Sequence, residues 1–144
     1  MKIVNTNIIN IFNESEKKRL PSKLTKEIIG SILDDNKITN SVINLIYCSD
    51  EYIHNINKEF LNHDYPTDVI TFEIEKTPLM CEIYTSVDTA ARQASEYNVT
   101  LNNELLRLAA HGALHICGMD DNTPDDRNTM KLQEDKYLER ITKA

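Results

Sequence analysis

At 144 residues the chain has the length of one domain, and folding at that size buries roughly 68–70% of the extended chain's surface, enough for a core without staples. Hydrophobic residues make up 40% and charged residues 27%, and no run of about 18 apolar residues exists, which leaves no candidate membrane span. The formal charge of −7 argues against sequence-indifferent binding to nucleic acid, DNA included, because such binding neutralises many phosphates with Lys and Arg. For RNA, a local basic patch, a bound cation or a partner has to supply the attraction.

The early residues, MKIVNTNIINIFNESEKK, interrupt their apolar stretch at Asn5, Asn7 and Asn10 and lack a small-residue cleavage site, so they read as a strand and not as a signal peptide. Residues 2–11 suit that first strand. Pro21-Ser22 opens a helix with Leu24, Ile28, Ile29, Ile32 and Leu33 on one face, and Asp34-Asp35-Asn36 ends it. VINLIYC (42–48) is β-branched and apolar, a buried strand. Ser49-Asp50-Glu51 caps an acidic helix start, followed by Ile53, Ile56, Phe60 and Leu61 on one stripe.

Residues 62–66 form a loop. TDVITFEI (67–74) sets Ile70, Phe72 and Ile74 against Thr71 and Glu73, a strand with one solvated face. Pro78 marks a turn, and CEIYT (81–85) is close enough to complete a hairpin. Ser86 caps a helix with Val87, Ala90, Ala91, Ala94 and Tyr97 on one side. A further helix runs from about Asn102 to Ile116, with Gly118 suited to its left-handed exit. Thr123-Pro124-Asp125-Asp126 starts the last helix, whose inward residues are Met130, Tyr137, Leu138 and Ile141 and whose charges read as a solvated amphipathic face. No repeat or linker divides the chain. The order predicts one α+β domain over residues 1–144, a mixed sheet of about four strands covered by about five helices.

His111 and His115 stand four positions apart in the helical segment LLRLAAHGALHICG, so both imidazoles leave one face and their nitrogens can meet one ion. Gly118 turns the chain back, and Asp121 can return a carboxylate to the same ion, placing a metal site at the end of a helix. The pattern H-x3-H-x2-G-x2-D is similar in spacing to the metzincin zinc motif. Gly112 stands where that motif has its general-base glutamate, and Asp121 where it has its third histidine, so peptide hydrolysis is the weaker reading. Arg107 lies one turn before His111 and can meet a phosphate or pair with Asp120 or Asp121. Cys117 points away from the histidine pair and belongs to core packing, and Cys48, Cys81 and Cys117 together look like reduced thiols of a cytosolic protein.

HGALHICGMDD resembles the motif HGxLHLxGYDH of the YbeY endoribonucleases: His111, Gly112, Leu114, His115, Gly118 and Asp120 match, Met119 replaces Tyr, and Asp121 stands at the third ligand histidine. NKEFLNHDYPTDVITF (57–72) is similar to the family's LNxxYRxxDxPTNVLSF, through Asn57, Asp64, Pro66, Thr67, Val69 and Phe72, with Asp68 in place of Asn and Leu61 in place of Arg. CEIYTSVDTAARQA (81–94) resembles its GDIxI strand-to-helix segment. The resemblance implies an α+β fold and a zinc-dependent, single-strand-specific endoribonuclease. It further implies work in the cytoplasm on the 3′ end of 16S ribosomal RNA and in ribosome quality control, with ribosomal RNA and ribosome or small-subunit proteins as partners.

In that setting His111, His115 and Asp121 are the expected ligands of one Zn²⁺ ion. Asp120 is expected as an orienting group or proton carrier, or else as a helix-exit turn residue, and Asp68 as a second acid facing the cleft or as an ordinary acid of the turn into its strand. The attacking group is water or the RNA's own 2′-hydroxyl. Without the arginine at position 61, His63 or lysines elsewhere take over the phosphate. Competing functions are a ribosome-associated factor with weak or lost nuclease activity, and a metallohydrolase of another class.

Overall fold

Apolar, β-branched residues lay down the centre of the structure, a computed structural model that describes residues 6–65 and 67–142. β2 (Asn40–Cys48) buries Ile43, Leu45 and Tyr47 on one face and Ile46 and Cys48 on the other, the pattern of a strand covered on both sides. It pairs in parallel with β1 (Thr6–Asn13) and with β4 (Leu79–Ser86). β3 (Val69–Lys76) runs antiparallel to β4, so the described residues form a mixed sheet in the order β1-β2-β4-β3. Of the strand expected over residues 2–11, positions 2–5 lie outside the described residues, as does Pro66 of the expected loop.

The larger core packs α1 (Ser22–Asp35), α4 (Leu101–Ile116) and α5 (Pro124–Thr142) around the first face of the sheet, with Val87 and Ala90 of α3 (Val87–Tyr97) joining it. A smaller core on the second face sets Ile53 of α2 (Asp50–Leu61) against Ile46, Cys48 and Ile70. Ser49, Ser86 and Thr123 cap helices where the sequence predicts them, and Thr100, which it does not single out, caps α4; each accepts a backbone N–H three residues on, at 3.0–3.1 Å. No helix among the described residues is long and apolar enough to cross a membrane.

Tyr97, Phe60 and Leu61, expected at the ends of inward helix stripes, are exposed instead, as are Ala91 of α3 and Ile74 of β3. Tyr97 is 60% exposed, in the last turn of α3 just before Asn98 ends the helix in a left-handed conformation. Phe60 and Leu61 occupy the last turn of α2; Phe60 packs only edge-on against Phe72, with ring centroids 6.0 Å apart. For Tyr97, Phe60 and Leu61 the amphipathic pattern runs to the helix end, but the surface beneath stops a turn earlier.

α4 lies close against the sheet, and Gly112 shows how close. A Cβ there would stand 2.9 Å from Cγ2 of Ile83 and 3.3 Å from Oγ1 of Thr71. The contact also means that Thr71, expected on a solvated face of β3, faces α4. A side chain at position 112 has to displace Ile83 or α4, which disfavours the general-base glutamate of a metzincin-type peptidase there.

Candidate metal centre

The end of α4 builds the site. Gly118 adopts φ +97, a conformation that L side chains rarely take, and it lets two bonds close the helix: Gly118 N–H to the His115 carbonyl at 2.9 Å and Met119 N–H to the Leu114 carbonyl at 3.0 Å. The chain turned by this motif presents the Met119 carbonyl to Nδ1 of His115 at 2.8 Å. Two residues further on, Oδ2 of Asp121 lies 3.3 Å from Nε2 of His111 and 3.4 Å from Nε2 of His115, while the two Nε2 atoms are 3.0 Å apart. All three groups are partly buried.

The other nitrogen of each ring is already engaged. A carbonyl can only accept, so His115 carries its proton on Nδ1 and turns the lone pair of Nε2 inward. His111 Nδ1 bonds Oε2 of Glu134 at 2.7 Å. Glu134 is buried, and its other oxygen accepts from Arg107 at 3.0 Å; Arg107 in turn reaches Asp135 at 2.6 Å. Burial alone would depress the His111 imidazole, but the hydrogen bond and charge of Glu134, followed by the charges of Asp121 and Asp68, outweigh it and raise His111 above its ordinary value.

Two sequence expectations are corrected here. Arg107 pairs with Glu134 and Asp135 of α5, not with Asp120 or Asp121, because α5 packs directly over that turn of α4. The last helix is also more than a solvated face, since Glu134 points inward from it to His111. Cys117 packs against the core as expected, and burial pushes its thiol up to about 11, so it offers no thiolate to the site.

The donor set fits a metal ion. Three electron-pair donors converge, each ring is oriented by a partner on its far nitrogen, and two histidines with a carboxylate are a ligand set of catalytic zinc sites. Around a tetrahedral zinc ion with bonds of about 2.0–2.1 Å, neighbouring donors stand about 3.3–3.4 Å apart. That agrees with the two Asp121 edges and is slightly longer than the 3.0 Å between the histidines.

A cleft of about 670 Å³ opens over these donors, with Leu61, His63 and Tyr65 at one end and Asp68 on its wall. Asp68 is held in place. Its Oδ1 accepts the Val69 N–H at 2.8 Å, its Oδ2 accepts from Gln93 at 3.3 Å, and its carbonyl accepts the Ser86 N–H at 2.9 Å. Asp120 is exposed, beside Asp121 in the chain but outside the lining of this cleft. No lysine or arginine lines the cleft among the described residues, and Leu61 does so where the related motif carries arginine.

A mixed α+β fold that brings two histidines and a carboxylate together beneath an open cleft supports a metal-dependent hydrolase. Comparison with known proteins gives the family. The family profile described as "Endoribonuclease YbeY" matches residues 10–142. "Endoribonuclease YbeY" of Chlorobaculum parvum is 39% identical over 137 residues, covering 94% of this chain and 96% of that protein. The protein of the same description from Chlorobium phaeobacteroides is 36% identical over 134 residues, covering 92% and 94%. Among solved structures, the solution structure of TM1509 from Thermotoga maritima superposes with a TM-score of 0.67 at 31% identity, covering 93% of this chain and 89% of that one. The chain belongs to the YbeY endoribonuclease family.

Proposed function

We propose that this chain is a zinc-dependent endoribonuclease specific for single-stranded RNA, acting in the cytoplasm on the 3′ end of 16S ribosomal RNA and in ribosome quality control. Its partners in this reading are ribosomal RNA and ribosome or small-subunit proteins. The observation that carries it is the convergence of His111 Nε2, His115 Nε2 and Asp121 Oδ2 in a protein of this family. A bound ion supplies a polarised phosphoryl oxygen or an acidified water, with a pKa lowered toward ~7.

The chain's own residues do the rest. Glu134 and the Met119 carbonyl hold the two imidazoles in one tautomer and one orientation. Asp68 takes a proton at Oδ2, the oxygen that has only the longer bond to Gln93, while the Val69 N–H fixes Oδ1. Asp120, exposed beside the third ligand in the chain, serves as a proton carrier at the solvent edge of the site, apart from Asp68.

Protein purified without a metal-affinity tag is expected to contain near-stoichiometric zinc by elemental analysis. It should cut single-stranded RNA in preference to duplex, lose that activity to a chelator and regain it with zinc. Absence of metal after zinc is supplied overturns the metallonuclease reading. A second reading, a ribosome-associated factor with weak or lost nuclease activity, is favoured by Leu61 and the lack of cations along the cleft. Zinc-loaded protein that binds ribosomal subunits but leaves RNA intact decides for it.

A further inference from the structure

A second cavity, of about 610 Å³, borders the candidate metal centre and shares Asp68, His111 and Asp121 with the first cleft. Its wall contains a group that the metal chemistry leaves unused. Glu104 of α4 lines the cavity while only 2% exposed, and its Oε1 has no hydrogen-bond partner among the described residues. Arg107, one turn away, is occupied by Glu134 and Asp135. A desolvated acceptor without a donor is among the more expensive features a small domain can keep. Burial raises the Glu104 carboxyl above its ordinary value, against the pull of Arg107.

The same cavity carries the cations that the first cleft lacks. Arg127 and Lys131 line it, and neither forms an ion pair with a carboxylate among the described residues. Arg127 is steadied by a 3.3 Å bond to the Asp121 carbonyl, so its guanidinium sits beside the third metal donor. Tyr97, with 60% of its surface exposed, stands at the rim, and Leu108 and Met130 give the wall an apolar lining.

We propose that this second cavity is a nucleotide subsite, in which a guanine of single-stranded RNA donates N1–H and N2–H to Glu104 while Arg127 and Lys131 hold the adjoining phosphate. An ionised carboxylate only accepts, and guanine is the base whose Watson–Crick edge offers two neighbouring donors. Uracil meets the same carboxylate with one N–H flanked by two carbonyl oxygens, which repel it. The open face of Tyr97 provides a stacking surface for the base. That the ligand is RNA rests on the ribonuclease reading; that it carries paired N–H donors and an anion rests on the cavity.

Binding of fluorescent tetranucleotides with every 2′-hydroxyl methylated, in the presence of a chelator and followed by anisotropy, tests the subsite without cleavage by either attacking group. At least one uridine tetramer carrying a single guanosine is expected to bind the wild type about tenfold tighter than the all-uridine tetramer. Glu104→Gln should erase the difference. Arg127→Ala with Lys131→Ala should weaken all tetramers alike and flatten their salt dependence. Equal affinity of the wild type for all tetramers overturns the proposal. So does a guanosine preference that survives in folded Glu104→Gln, with folding checked by thermal unfolding. If that variant does not fold, the wild-type comparison and the paired cation variant still decide. Guanosine preference in binding, together with unmethylated RNA left uncut by zinc-loaded protein, keeps the subsite and rejects the ribonuclease activity.

Discussion

Oε2 of Glu134 lies 2.7 Å from Nδ1 of His111, joining α5 to the metal centre across 23 positions of sequence. The contact fixes which ring nitrogen faces the donors. Glu134→Gln, which can keep a hydrogen bond but not the charge, is expected to weaken zinc binding about tenfold, and Glu134→Ala up to about 100-fold. Chelator competition measures both. Unchanged affinity in the alanine variant would remove Glu134 from the metal site.

Asp121 carries the third donor, with Oδ2 at 3.3 and 3.4 Å from the two histidines. Asp121→Ala is expected to lose most bound zinc, whereas Asp121→His restores three neutral nitrogen donors and retains it. Elemental analysis after dialysis reads the outcome. Full zinc in the alanine variant would move the third ligand elsewhere.

Gly112 sets α4 tight against the sheet, with Ile83 only 2.9 Å from where a Cβ would stand. Gly112→Ala is therefore expected to destabilise the fold by about 1–3 kcal/mol through overpacking, despite alanine's higher helix propensity. Urea unfolding gives the value. Because His111 is the preceding residue, zinc affinity should fall in the same variant.

Folding raises the Glu104 carboxyl above its ordinary value of 4.5, with burial the leading cause. A raised carboxyl leaves its share of stability intact below the unfolded value and loses it as pH rises through the folded one. Glu104→Met removes that loss. The variant should match the wild type in acid and become more stable as pH rises above about 4.5, by roughly 1–3 kcal/mol once the wild-type group is ionised. Metal-free thermal unfolding across pH tests it, and a constant difference between the two proteins counts against it.

The parts of the site that were legible in the sequence are those written locally. His111, Gly118 and Asp121 lie within eleven residues, and helix periodicity followed by a left-handed exit dictates where their side chains go. Glu134 was not legible, because its role depends on how α5 crosses α4. A trace of it exists in the spacing: Glu134 falls on the same stripe as Met130, Tyr137 and Leu138, all buried. A carboxylate on an apolar stripe needs a partner, and that demand is the signal the charge-rich composition of the helix conceals. The destination of Arg107 was hidden for the same reason. The exposed ends of α2 and α3 were misjudged because periodicity describes a helix and not the extent of what it rests on.

The separation between donors and brace has a consequence for the order in which the protein is completed. Chains leave their synthesis from the N-terminus, so His111, His115 and Asp121 emerge before Glu134, and Arg107 waits for the same helix to neutralise it. A nascent chain halted in the 120s already carries all three donors but lacks the carboxylate that holds Nδ1 of the His111 ring. On the proposed metal reading, tight capture of the ion then waits for a finished polypeptide, and an aborted fragment competes poorly for it.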